Sequence, residues 1–284
     1  MKILIVADME GISGVVYWPR PQLGGRDARD DERQRKAMAD DINAVVTGAR
    51  QGGAEDFYVL DFHGSAPPRP NLLQDDLDPA INLFSGRGHM SMVRPVMDSS
   101  YDALMIVGMH AFDGVADGIL SHNFTSTYRE IYINDLRIGE TGYFALLAGS
   151  FDIPVVLLTG DEAACREADE LLGSVETVAT KKGITHGFAL LYPPSKVYQA
   201  LTAGAEQAIK QRDQIKPFKL EPPYRVEIEM GGGREPYKAD ACAMFPFVER
   251  LSGTRIAYES SNIHEALTTL RALHITAESQ RHAA

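Results

Sequence analysis

The 284-residue chain is long enough for one large domain or two modest ones, and its composition, 44% hydrophobic and 24% charged, is typical of a globular protein with a sizeable core. A net charge of −11 disfavours nucleic acid and anionic membranes as partners. The 2 cysteines are too few for a disulfide framework or a thiolate metal site, and no apolar stretch approaches the ~18 residues that span a bilayer, so we expect a cytoplasmic protein.

The first predicted element is a buried strand that ends in two carboxylates. Residues Ile3–Ala7 form an unbroken apolar run, the pattern of a strand covered on both faces in a parallel sheet. Asp8 and Glu10 follow, and side chains two residues apart on an extended chain point to the same side. In open α/β sheets ligands bind at this end of the strands, and two carboxylates there require a proton or a cation between them. An Asx-type turn with a solvated Glu10 is the alternative.

The segments that follow predict alternating helices and strands. A helix over Asp27–Gln51 and a strand over Ala54–Asp61 complete a β-α-β unit. A hairpin turn is expected at Asn134-Asp135, and Ser195 has the position of a helix N-cap. Further strands are expected at 80–85, 101–108, 154–159, 175–179, 188–191, 224–230 and 256–258, and further helices up to Met97 and at 143–148, 163–172, 195–212 and 262–276. The pattern predicts an α/β fold with a mostly parallel central sheet flanked by helices and a smaller C-terminal α+β part, divided into a metal-binding catalytic domain (1–192) and a second domain (193–284).

Potential metal ligands recur where predicted strands end. His63 follows the strand that closes with Asp61, and His110 follows the strand at 101–108. Imidazole together with carboxylate suits zinc, manganese or iron rather than calcium. Glu140 opens a predicted helix, where it either partners the helix dipole, which composition alone favours, or points into the site.

Three carboxylates and two imidazoles can hold two divalent ions if one carboxylate bridges them, the arrangement of a cocatalytic hydrolase. The candidate ligands are Asp8, Glu10, His63, His110 and Glu140, and His122 lies apart from them in a glycine-rich, irregular stretch.

The motifs that carry these residues resemble, in the same order, those of the zinc D-aminopeptidases of the bacterial dipeptide-transport-operon type. The similarity covers most of the chain, whereas the part after Pro194 matches only in general pattern. The matching motifs are Asp8–Gly14, Asp61-x-His63, Gly108-x-His110-Ala111, Ser121-His122, and Tyr132–Asp135 with Gly139-Glu140.

The resemblance implies two zinc ions per subunit, with Asp8 as the bridging ligand and Glu10, His63, His110 and Glu140 as the others, and His122 as the catalytic side chain. It implies a dinuclear zinc aminopeptidase in which a metal-bridging hydroxide attacks short peptides, with an N-terminal D-amino acid such as D-Ala. It also implies a homodecamer of two stacked five-membered rings whose sites face an internal channel.

The chain departs from the family in the turn that carries His63. That turn tends to be Asp-Ser-His-Ser in the family, and here it is Asp61-Phe62-His63-Gly64. The loops at 17–25 and 66–70 also differ from the family's pattern. Because the ligand itself is kept, the metal site is unaffected, and the departure leaves the choice of substrate open.

Two other functions are consistent with parts of the pattern. A haloacid-dehalogenase-like, Mg-dependent phosphatase would use Asp8 as its nucleophile. Against it, the second acid is Glu10 rather than Asp, the late acidic pair of that fold is absent, and His63 and His110 would have no role. The third hypothesis is a non-catalytic protein that binds metal and peptide.

Overall fold

The fold is that of a computed structural model that describes residues 1–17, 28–64, 70–86 and 96–281. Its strands are β1 (Lys2–Ala7), β2 (Asp56–Asp61), β3 (Ile81–Phe84), β4 (Ala103–Met109), β5 (Tyr128–Ile133), β6 (Leu136–Arg137), β7 (Val155–Asp161), β8 (Glu176–Thr185), β9 (Phe188–Leu191), β10 (Tyr224–Met230), β11 (Glu249–Arg250) and β12 (Arg255–Ser260). Its helices are α1 (Ala28–Gln51), α2 (Glu140–Gly149), α3 (Glu162–Leu172), α4 (Pro194–Gln211), α5 (Glu235–Ala243) and α6 (Ile263–Glu278).

A seven-stranded sheet forms the centre of the molecule, in the order β3-β2-β1-β4-β7-β8-β9. Neighbours from β3 to β8 run parallel, and β9 pairs antiparallel with β8. The chain moves outward from β1 to β3 and then returns to place β4 on the other side of β1. The strand order therefore reverses between β1 and β4, which is where α/β sheets of this kind bind their ligands.

Both faces of this sheet are covered, which explains the unbroken apolar run of β1. Ile3 and Ile5 pack into the core beneath α1 and α4, whereas Leu4 and Val6 pack into the core on the opposite face. That second core also contains apolar residues of α2, α3, α6 and the smaller sheet.

The smaller sheet is antiparallel, with the order β11-β12-β10-β5-β6. Strand β10 alternates buried and half-buried residues, as its sequence YRVEIEM predicts for a sheet with one covered face. Strands β5 and β6 are joined at Asn134 and Asp135, whose φ angles of 50° and 64° are those of a two-residue hairpin turn.

The predicted fold class is confirmed, because a mostly parallel sheet flanked by helices is accompanied by a smaller sheet. The division at residues 192–193 stays a prediction. Contacts cross it in several places; for example, α4 packs on α1, and β10 pairs with β5.

Two local predictions are corrected by the structure, and two elements were not predicted. Ser195 is not a helix cap, because α4 already begins at Pro194, where the fixed φ of proline suits a first helical position. Strand β8 continues to Thr185, beyond the expected end at 179. The sequence reading missed α5 and β11, which are short and carry no clear period.

Some predicted features lie outside the described residues, namely the greater part of the loops at 17–25 and 66–70 and of the helix before Met97. Within the ranges that are described, no helix combines the length and the hydropathy needed to cross a bilayer.

Candidate metal centre

Six side chains expected at the site meet at the carboxyl edge of the large sheet. Asp8 and Glu10 lie on the turn that follows β1, His63 lies just beyond β2, and His110 comes directly after β4. Glu140 is the first residue of α2, and His122 lies on the irregular segment between β4 and β5. Because the carboxyl ends of parallel neighbours share one edge, residues far apart in the chain come together here.

Asp8 lies between two groups of potential ligands. Its Oδ1 atom is 3.1 Å from Nδ1 of His63, and the same nitrogen is 3.2 Å from Oε2 of Glu10. Its Oδ2 atom is 3.5 Å from Nε2 of His110. Each oxygen of one carboxylate therefore faces a different histidine.

The second group is completed by Glu140 and His122. The Oε1 atom of Glu140 is 3.4 Å from Nε2 of His110 and 4.0 Å from Nε2 of His122. The two imidazole rings stack, with centroids 4.0 Å apart. Glu140 also accepts a hydrogen bond from the backbone N–H of Phe124 at 2.6 Å, which fixes its carboxylate.

Backbone carbonyls set the orientation of both stacked histidines. Nδ1 of His110 is 2.9 Å from the carbonyl oxygen of Ala111, and Nδ1 of His122 is 2.8 Å from that of Leu120. A ring that donates its Nδ1–H to a carbonyl presents the lone pair of Nε2 on its other side, towards the carboxylates. Among the described residues, Nε2 of His110 is buried and has no hydrogen-bond partner.

Burial and mutual charge perturb the titration of the whole cluster. Burial and the charge of Glu10 raise the pKa of Asp8 to about 7. Burial also opposes ionisation of Glu10, but His63 outweighs it and lowers the pKa of Glu10 well below its usual range. Burial opposes protonation of His110, but Glu140 and Asp8 raise its pKa well above its usual range. Crowded, buried carboxylates of this kind are stabilised by positive charge.

Two side chains mark the open side of the cluster. The side chains of His63 and His122 are 18% and 16% exposed, whereas those of Asp8, His110 and Glu140 are 4%, 1% and 3% exposed. The two histidines therefore lie on the more accessible side of the cluster, and the carboxylates lie behind them.

These residues fit a zinc site. The ligand atoms of Asp8, Glu10 and His63 all lie within 4.8 Å of one another, as do those of His110, His122 and Glu140. Zinc binds both imidazole nitrogen and carboxylate oxygen, and each group offers both kinds of donor. An ion in the second group would also supply the missing partner of His110 Nε2.

Two glycines let the turns that carry the candidate ligands pack backbone to backbone. A Cβ atom at Gly11 would lie 2.1 Å from the carbonyl oxygen of Met109, and one at Gly108 would lie 2.2 Å from that of Asp8. Gly108 also has a φ of 77°, which side-chain-bearing residues rarely adopt. Gly11 N–H donates to the Gly108 carbonyl at 2.8 Å, so the two turns are held together directly.

The sequence reading missed several residues that support the site. Asn71 donates to Oδ1 of Asp61 and to the carbonyl oxygen of His63, both at 2.8 Å, and so secures the turn that carries this histidine. Thr180 and Lys181 on β8 contact the turn after β1. Asp61 is the buried last residue of β2, but nothing in the sequence identifies the partners of these residues.

Known proteins resemble this chain along nearly its whole length. The family model described as D-aminopeptidase, of peptidase family M55, matches residues 1–272. The D-aminopeptidase of Bacillus subtilis (strain 168) is 30% identical over 269 residues, which cover 94% of each chain. A solved structure, described as the Zn-dependent D-aminopeptidase DppA from Bacillus subtilis, a self-compartmentalizing protease, matches with a TM-score of 0.89 and 28% identity over 100% of both chains. The chain therefore belongs to the D-aminopeptidase family and is a metallo-aminopeptidase.

Proposed function

We propose that this protein is a dinuclear zinc aminopeptidase that removes an N-terminal D-amino acid, such as D-Ala, from short peptides. The observation that carries the proposal is the position of Asp8, whose two oxygens face separate groups of buried nitrogen and oxygen donors. The zinc dependence of the similar Bacillus subtilis enzyme supports zinc as the metal.

Each ion has a set of three proposed protein ligands. Asp8, Glu10 and His63 would hold the first, and Asp8, His110 and Glu140 would hold the second. When bound, a pair of zinc ions polarises the scissile carbonyl group and makes the attacking water more acidic.

His122 is the proposed catalytic side chain. Its ring is fixed by the hydrogen bond to the Leu120 carbonyl and by stacking on His110. It lies on the open side of the cluster with Nε2 directed towards Glu140. From there it transfers a proton to the leaving amine or stabilises the oxyanion of the tetrahedral intermediate.

We also propose that the protein acts in the cytoplasm as a homodecamer of two stacked five-membered rings. The description of the similar structure as self-compartmentalizing supports an assembly that encloses its sites. We expect the molar mass of the purified protein, measured by sedimentation, to be about ten times the chain mass of 31.1 kDa.

The test of the activity is a matched panel of D-Ala and L-Ala dipeptides and amides, with elemental analysis of the same preparation. We expect about two zinc ions per chain and faster hydrolysis of the D-Ala compounds. Bound zinc without hydrolysis of any compound would support the non-catalytic hypothesis. The phosphatase hypothesis is not favoured, because the chain belongs to the D-aminopeptidase family and each oxygen of Asp8 faces a histidine.

A further inference from the structure

Three consecutive carbonyl groups on the turn after β1 are bound by two neighbouring side chains of β8. The Nζ atom of Lys181 donates to the carbonyl oxygens of Glu10 and Ile12, each at 2.6 Å. The hydroxyl of Thr180 donates to the carbonyl oxygen of Gly11, also at 2.6 Å. We call this set of contacts, made by Thr180 and Lys181, the carbonyl clasp.

The clasp reaches across the sheet. Strands β4 and β7 lie between β1 and β8, so these contacts are not part of ordinary strand pairing. They bring a distant strand to the turn that carries Glu10.

An irregularity in β8 makes the clasp possible. Gly160 of β7 pairs with Ala179, but the next residue, Asp161, pairs with Lys181, so Thr180 is an extra residue in the register. Neighbouring side chains of a regular strand point to opposite faces. The bulge re-aims them, and both Thr180 and Lys181 reach the same turn.

The burial of Lys181 indicates how firmly the turn is held. The side chain has 0% exposure, and Thr180 has 1%. A buried ammonium group is costly unless its donors are satisfied, and a buried carbonyl without a donor also costs free energy. Here the ammonium group of Lys181 and the carbonyl groups of Glu10 and Ile12 form hydrogen bonds with each other, so the turn has few alternative positions of similar energy.

A second contact fixes the far end of the same turn. The carboxylate of Asp41, on α1, accepts hydrogen bonds from the backbone N–H and the hydroxyl of Ser13 at 2.8 and 2.7 Å. The backbone from Glu10 to Ser13 is therefore held by side chains from β8 and α1.

We propose that Lys181, with Thr180, is a positioning residue for the metal site: the carbonyl clasp sets the backbone of residues 10–12 and thereby aims the Glu10 carboxylate at the ion shared with Asp8 and His63. This inference rests on the proposed function, because it requires those three residues to be ligands. Groups behind the ligands of a metal site typically change its affinity by ~10–100-fold when removed.

The test compares metal binding by full-length variants that differ only at the clasp. Lys181→Met keeps the length of the side chain and removes its donors. Thr180→Val removes the hydroxyl, and Thr180→Ser retains it. Lys182→Met is the matched control, because Lys182 is the next residue on β8 and its side chain is 50% exposed.

The readouts are the rate at which the isolated enzyme releases zinc to a chromophoric chelator and the visible absorption spectrum after replacement of zinc by cobalt. We expect Lys181→Met to release one zinc ion at least ~10-fold faster and to alter the cobalt spectrum, with a smaller change for Thr180→Val. Thr180→Ser and Lys182→Met should match the wild type.

Wild-type release rates and spectra in Lys181→Met would overturn the proposal. If Lys181→Met does not fold, as judged by circular dichroism, the comparison of Thr180→Val with Thr180→Ser decides, and equal metal binding by that pair overturns the proposal. Failure of the proposed function would give a different result. The wild type and Glu10→Gln would then bind the same amount of zinc, because Glu10 would not be a ligand.

Discussion

At the scale of single residues, the cluster contains side chains with different proposed tasks in almost the same place. Asp8 is buried between two histidines, whereas His122 lies on the open side and is tied to a backbone carbonyl. A residue that bridges two ions cannot be replaced without loss of metal. A residue that only transfers protons can be replaced without that loss.

We therefore expect His122→Ala to keep the zinc content of the wild type while kcat falls by ~10²–10⁴-fold, the usual contribution of a general acid or base. Asp8→Asn should lose most of its zinc. Elemental analysis and initial rates on one D-Ala substrate measure both effects. If His122→Ala also loses zinc, His122 is a ligand of the second ion, as the 4.0 Å distance between its Nε2 and Oε1 of Glu140 allows.

A second prediction at this scale concerns Asp41. Burial raises its pKa to about 6 from an ordinary value of 3.8, although its hydrogen bonds to Ser13 oppose the shift. The folded state therefore binds the proton more tightly than the unfolded state, and stability falls as the pH rises from about 4 to about 6. Relative to Asp41→Asn, the wild type should lose roughly 2–3 kcal/mol across this window.

Urea unfolding of both proteins at several pH values measures that difference. Both proteins are first freed of metal with a chelator, so loss of metal at low pH does not contribute to the difference. Parallel stability curves between pH 4 and pH 6 would show that Asp41 does not titrate as its burial requires.

At the scale of secondary-structure elements, the site depends on two turns whose backbones touch. A side chain at Gly11 or Gly108 would collide with backbone atoms, which cannot move aside as a flexible side chain can. We expect Gly11→Ala and Gly108→Ala to lower the free energy of unfolding by about 1–3 kcal/mol and to weaken zinc binding.

Gly64→Ala is the matched control for those variants. Gly64 follows His63 directly, yet no described atom lies within 4 Å of a Cβ built there. The stability and zinc affinity of the three variants are compared by thermal unfolding and zinc titration. Equal behaviour of all three would mean that the turns adjust freely and that their close approach is not needed.

The elements also explain how much of the site was predictable. The placement of His63 and His110 at one edge of the sheet was predictable because parallel strands end at a common edge, so a polar residue after a buried strand is a local signal with a known position. Lys181 gives no such signal. Its role depends on the order of the strands and on a bulge in β8, neither of which a single sequence reveals. The expected N-cap at Ser195 was wrong for a local reason, because neighbouring Pro194 already starts the helix.

At the scale of the whole molecule, the proposed ions tie together parts of the chain that are far apart in sequence. A ligand that binds only the folded state stabilises it, by about 4 kcal/mol when its concentration is 1,000 times its Kd. We expect removal of zinc by a chelator to lower Tm by at least about 5 °C, and added zinc to restore it.

Differential scanning fluorimetry on untreated, chelated and zinc-restored protein measures this change. Asp8→Asn serves as the control, since its Tm should not respond to the chelator. An unchanged Tm in the wild type, with zinc shown to be absent, would mean that the cluster is stable without cations.

The spread of the proposed ligands along the chain also has a consequence for biosynthesis. A nascent polypeptide of 100 residues contains Asp8, Glu10 and His63, but it lacks His110, Glu140 and the β8 residues that bind the turn. On the proposed assignment, the ligands of the first ion are all present at that length, whereas those of the second are complete only when β4 and α2 have been translated and have docked. Binding of the second ion would thus be a late step of maturation, and the newly made enzyme would stay inactive until its sheet has assembled.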